Sequence, residues 1–162
     1  MPATRAPRTH VGWMMSEPFE AMAVEREPKL LLALGYFREG QNAGSPFYRF
    51  LAYWNCLDAV FAVTRNNFAA RDRFLDSEVP RFRARWDDRF GFPVQPARYF
   101  RDESRNAIAH VLRDPGSREI DPDSGEDRRR LEHESQFLQW LALEAINREY
   151  PRAITAADTH HR

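Results

Sequence analysis

Lysine is almost missing from this chain. Lys29 stands alone among 24 basic residues, and the other 23 are arginine. Two readings of that bias stand side by side: an arginine-favouring codon composition, or a need for the guanidinium fork in contacts with phosphate or carboxylate. Cysteine is as scarce. Cys56 has no partner, which excludes an internal disulfide and a cysteine-based zinc site. It falls in an apolar helical stretch and reads as core. Long hydrophobic runs are absent too. The longest, Leu30 to Leu34, is far too short to cross a bilayer. No apolar segment follows the N-terminal arginines, so no secretory signal is read, and a cytoplasmic protein with no membrane partner is expected. Net charge is zero, with 24 basic and 24 acidic residues. Bulk electrostatics therefore select no nucleic-acid partner, and any RNA-binding site must be a local patch. There is no glycine-rich phosphate loop, no His-Glu-x-x-His, no internal repeat and no alternating run of strand type. Asp121, Asp123 and Gly125 lack the remaining ligands of a calcium loop. The two histidines of the tail are too isolated to assign a metal. No metal and no cofactor are expected.

What remains is a globular helical chain. Its 162 residues, 43% hydrophobic and 30% charged, fit one domain. A chain of this size buries roughly 70% of its unfolded surface and needs no staple. Residues 1–16 lack periodicity and read as a flexible N-terminal arm, free to dock on the body or on a second subunit. Residues 17–150 read as the helical domain, and residues 151–162 as a frayed tail.

A first helical segment is expected over 17–39, capped by Ser16, kinked or split at Pro28, and ended by Gly40, Asn42 and Gly44. Ser45 caps the next, with Pro46 at its first position. There Phe47, Phe50, Leu51, Trp54, Leu57 and Phe61 form the clearest amphipathic stripe in the chain. Asp58 interrupts it at the edge. Either it is exposed or bonded to N–H groups, or it is an acidic anchor for Arg105. A third helical region spans 66–90, with Leu75, Val79, Phe82 and Trp86 in register across Pro80, where a kink or a junction is expected. Its other face carries Arg71, Arg73, Arg81, Arg83, Arg85 and Arg89 among acids. That face is either solvated and self-paired or a cationic strip for RNA. Residues 114–127 are an acidic loop. Ser124 then opens a last helix with Asp127 at N3, and Leu131, Leu138, Leu141, Ala142, Ala145 and Ile146 face the core. The fold class expected is all-α, an up-and-down bundle of four to five helices.

The chemistry-bearing stretch is Arg105-Asn106-Ala107-Ile108-Ala109-His110, on a helix begun by Pro96 and ended by Pro115 and Gly116. On a 3.6-residue period Asn106 and His110 share a face, Glu103 lies one turn before, and Arg105 lies about 100° away. Arg-x4-His occurs three times in the chain (Arg5, Arg105 and Arg128), but only the middle copy has asparagine after the arginine. Histidine titrates in the range useful for moving a proton. Arginine grips phosphate oxygens and stabilises charge developing on them. Asn106 can orient His110 or hold a phosphate oxygen. The same residues admit a structural reading: Arg105 paired with Asp58 or Asp102, and His110 favoured by a helix C-terminus.

RNAIAH, together with the upstream SPFYRFLAYWNCLDAVF, resembles the HEPN superfamily of small helical domains. It is most similar to the Apea-like HEPN and methylamine utilization protein MauJ-like branch, over roughly residues 30–150. The resemblance implies a HEPN-like bundle. It implies Arg105, Asn106 and His110 as catalytic residues of a metal-independent endoribonuclease, of the kind used in toxin or phage-defence systems. Two copies of the motif would face each other in a homodimer acting on RNA. It implies a supporting role for Asp58, where relatives often carry glutamate. It also implies an alternative: a non-catalytic helical binding module, MauJ-like or associated with a nucleotidyltransferase partner or an antitoxin.

Overall fold

The computed structural model describes residues 27–64, 67–109, 120, 121 and 123–151. Five helices make up the described fold. They are α1 (Pro28–Asn42), α2 (Pro46–Val60), α3 (Ala69–Arg81), α4 (residues 96–109) and α5 (Gly125–Glu149). Among the described residues there is no strand, only an isolated bridge between Thr64 and Asn67. The chain is an all-α bundle.

The centre is α2. It packs against α1 on one side and α5 on the other. Nine of its fifteen residues are buried, among them Phe50, Tyr53, Trp54, Cys56 and Leu57. A helix apolar over most of its circumference can satisfy itself only at the middle of a bundle. Pro46 sits in its first turn, where a missing N–H is harmless. Ser45 holds the N-cap position but makes no capping bond with its side chain. The expected core face of α5 is buried throughout, from Leu131 to Ile146. At its start Asp127 N–H donates to Ser124 Oγ at 3.3 Å. The capping is not reciprocal, because the Asp127 carboxylate accepts from Asp121 N–H instead, at 2.9 Å.

Of the kink or split expected at Pro28, the described residues show a break and not a kink. Pro28 is the first residue of α1, behind Glu27 at the N-cap. The expected segment 17–26 lies outside the described residues. Of the three residues expected to end α1, the helix passes Gly40 and stops at Asn42. Gly40 is there because Tyr53 of α2 crosses over it. A Cβ at this position would lie 2.6 Å from Tyr53 Cε1. At Pro80 the expected junction is found and the kink is not. One residue beyond Pro80, α3 stops, and two short 3-10 turns follow, Arg83–Arg85 and Asp88–Phe90.

Those turns deliver Trp86 to the core. Its ring meets Tyr99 and Phe100 of α4 and His133 and Phe137 of α5 edge-on, and its Nε1–H donates to Gly91 O at 2.8 Å. Phe100 in turn lies between Trp86, Phe50 and Phe137. This aromatic hub fixes the depth and rotation of α4 against α2 and α5. At the start of α4, Asp76 of α3 accepts from Ala97 N–H at 3.0 Å, filling one of the open donors of a helix N-terminus.

Candidate functional site

The helix carrying the arginine–asparagine pair is not a plain α-helix. It begins as one α-turn at Pro96–Tyr99, winds as a π-helix over Phe100–Asn106, and returns to α over 107–109. A π-wound stretch is uncommon and occurs mostly at functional sites. Its wider turn displaces Glu103 from the place beside Asn106 that α-helical spacing predicts. Phe100, Ser104, Ala107 and Ile108 face inward, while Glu103 and Arg105 are exposed and Asn106 is half-buried.

Arg105 Nη1 donates to Asn106 Oδ1 at 3.1 Å, and among the described residues it makes no ion pair. Asp58, the candidate anchor, is instead bonded to Arg71. The Arg105 charge still reaches Asp58. It helps Arg71 hold the carboxyl down against burial, which dominates and raises the Asp58 pKa above its ordinary value. His110 lies outside the described residues.

Arg71 is not one of the exposed arginines of its helix. Its side chain is 4% exposed. The guanidinium lies 4.2 Å from the Trp54 ring centroid, bonds Asp58, and holds Asp72 Oδ1 at 2.8 Å. The ladder continues. Asp72 Oδ2 accepts from Arg101 Nη1 at 3.0 Å, and Arg101 Nε donates to Asp102 Oδ1 at 3.0 Å. Arg101 sits one turn before Arg105 on α4. The ladder therefore ties α2, α3 and α4 together and consumes the nearby carboxylates, leaving Arg105 outside it.

Beneath the π segment lies a second polar cluster that the sequence reading missed. Glu134 is fully buried on α5. Tyr99 Oη donates to its Oε1 at 2.6 Å, and Arg130 Nε stands 3.5 Å from the same oxygen. Arg130 Nη2 also donates to the carbonyl of Glu103, inside the π segment, at 3.3 Å. Burial pushes the Glu134 pKa up, against the opposing pull of Arg130 and Tyr99. Ser104 Oγ lies close enough to the Glu134 carboxyl to help hold it down, but among the described residues neither it nor Glu134 Oε2 makes a hydrogen bond of ordinary geometry. A signal for both missed groups was present. Arg71 is four residues before Leu75, and Glu134 is three after Leu131 and four before Leu138. Each continues an apolar stripe with a charge, which is costly unless the charge is partnered.

This arrangement can bind an anion at an exposed guanidinium that is kept off the neighbouring acids. Among the described residues, no three His, Cys, Asp or Glu side chains gather as a metal site. No described helix is long and apolar enough to cross a membrane.

Neither the curated proteins nor the solved structures give a match. The family model "MauJ: Methylamine utilization protein MauJ" matches residues 33–147, which takes in α2, the charge ladder, the π segment and nearly all of α5. With a match over well more than half of its length, the chain belongs to the methylamine utilization protein MauJ family.

Proposed function

We propose that this HEPN-like module is a metal-independent endoribonuclease, acting in the cytoplasm as a homodimer of toxin or defence type, with Arg105, Asn106 and His110 as its catalytic residues. The observation that carries the reading is the state of Arg105. A structural arginine would be paired, and the acid positioned to pair it, Asp58, is taken by Arg71. Arg105 is exposed and, among the described residues, bonded only to the neutral Asn106. Its remaining donors are open to a phosphate. Asp58 supports it from a distance through charge alone.

The chemistry assigned is transesterification. A base removes the proton of the ribose 2′-hydroxyl, and the 2′-oxygen attacks the adjacent phosphorus. The 5′-oxygen leaves with a proton from an acid, giving a 2′,3′-cyclic phosphate. Arg105 stabilises the charge on the phosphoryl oxygens in the transition state. His110 is base or acid. One chain offers one such histidine, so the second proton-transfer group comes from the motif of a facing copy.

The test is cleavage of a mixed RNA substrate in EDTA. Wild type is expected to leave cyclic phosphate ends. His110→Ala and Arg105→Ala, at matched folding, should each lose about a hundredfold or more in rate. Equal cleavage by wild type and both variants would assign the activity to a contaminant. No cleavage by a folded dimeric wild type would favour the binding-module alternative.

A further inference from the structure

We propose that Phe68 is a nucleobase-stacking platform beside Arg105, so that the site takes single-stranded RNA by one stacked base and the phosphate next to it. The inference rests on the RNA reading given above.

Five large hydrophobic side chains are exposed among the described residues: Leu31, Leu32, Tyr48, Phe68 and Val94. Single exposed apolar residues are ordinary. Phe68, 42% exposed, differs from the others in what lies against it. The Arg101 guanidinium is 5.5 Å from its ring centroid. That guanidinium does not depend on the ring for its position. Asp72 of α3 and Asp102 of α4 hold it from two directions. Phe68 is also the residue at the N-cap of α3. The ring is thus an exposed aromatic surface with a fixed cation on it, at the end of α3 that joins the charge ladder.

The next cation along is Arg105, one turn further on α4. Arg105 follows four residues after Arg101 in the π segment, and its charge reaches Asp58, which Arg71 and Asp72 link to Arg101. Arg101 is spent on carboxylates, and Arg105 is not. An aromatic ring beside an open arginine is the pairing by which single strands are held: the ring takes the π-face of a base, and the arginine takes a backbone phosphate. Stacking of this kind tolerates any base. The site should therefore show little sequence preference, and it requires an unpaired strand, because a base inside a duplex has no free face.

The experiment measures binding of a fluorescent 2′-O-methyl oligouridine, which offers no 2′-hydroxyl for cleavage, with inorganic polyphosphate as the phosphate-only ligand. Wild type, Phe68→Ala, Phe68→Trp and Arg105→Ala are compared as folded full-length chains. Phe68→Ala is expected to weaken oligonucleotide binding about five- to a hundredfold and leave polyphosphate binding unchanged. Phe68→Trp should keep wild-type affinity, and Arg105→Ala should weaken both ligands. Equal oligonucleotide affinity of Phe68→Ala and wild type would overturn the platform and leave the RNA reading intact. Absence of oligonucleotide binding by wild type would overturn both. A changed oligomeric state of Phe68→Ala in sedimentation would place the ring in an interface between copies and would also overturn the platform.

Discussion

At the scale of single residues, the buried Glu134 makes the sharpest prediction. Its carboxyl has a raised pKa in the folded protein, so the folded state holds a proton more tightly than the unfolded chain does. Between the two pKa values folding takes up a proton, and stability falls as pH rises through that window. The contribution is intact below the ordinary glutamate value of 4.5 and is lost on the way up to the folded value. Glu134→Gln keeps the shape without the charge. Urea midpoints from pH 4 upward should show wild type losing ground to Glu134→Gln. A constant difference across that range would mean that Glu134 carries its charge without penalty. A second prediction concerns Gly40, whose added Cβ would meet Tyr53 Cε1 at 2.6 Å. Gly40→Ala gains about 1 kcal/mol of helix propensity. The overlap with a buried ring costs about 1–3 kcal/mol. The net expected in urea denaturation is a loss, and a stabilised Gly40→Ala would show that Tyr53 can swing aside.

At the scale of elements, the joint between α2, α3 and α4 separates structural arginines from the candidate catalytic one. Arg71→Ala strips the cation from the Trp54 face and leaves Asp58 and Asp72 without it. Asp58 keeps 30% side-chain exposure, so water softens the loss, and about 2–3 kcal/mol is expected. Arg105→Ala removes, among the described residues, the exposed bond to Asn106 and a distant charge on Asp58, and should stay within about 0.5 kcal/mol of wild type. Thermal or chemical denaturation of the two variants decides the matter. A large loss in Arg105→Ala would return that residue to the structural network. The helices themselves were legible in the sequence, because burial follows a period. Phe50, Trp54 and Leu57 of α2, and Leu131, Leu138 and Leu141 of α5, are buried as their spacing predicts. The π winding of α4 was not legible. Ala97, Phe100, Ser104 and Ile108 are spaced as an α-helix would space them, and the winding is a choice of backbone partner that leaves no mark on residue type. Arg105 and Asn106 could be named from the motif. Their relation to Asp58 could not, because it turns on Arg71, which burial alone distinguishes from the exposed arginines around it.

At the scale of the whole molecule, zero net charge means that the pull on a polyanion must come from a few side chains, and a small module presents few. The assigned chemistry needs a base and an acid, while each chain carries a single Arg-Asn-x3-His motif. If the second group comes from a facing copy, activity belongs to the pair and not to the chain. Subunit mixing tests this directly. When wild type is unfolded and refolded with an equal amount of His110→Ala, random pairing gives about one quarter wild-type pairs, one half mixed and one quarter mutant pairs. A site that requires both histidines keeps only the first class, and the rate falls to about one quarter of that of the same total protein as wild type. Independent sites, each complete within one chain, would retain about one half. Raising the mutant share separates the cases further, because one curve falls as the square of the wild-type fraction and the other in proportion to it. A linear curve would confine the whole reaction to one chain, and the second proton-transfer group would then have to be sought near Arg105 itself.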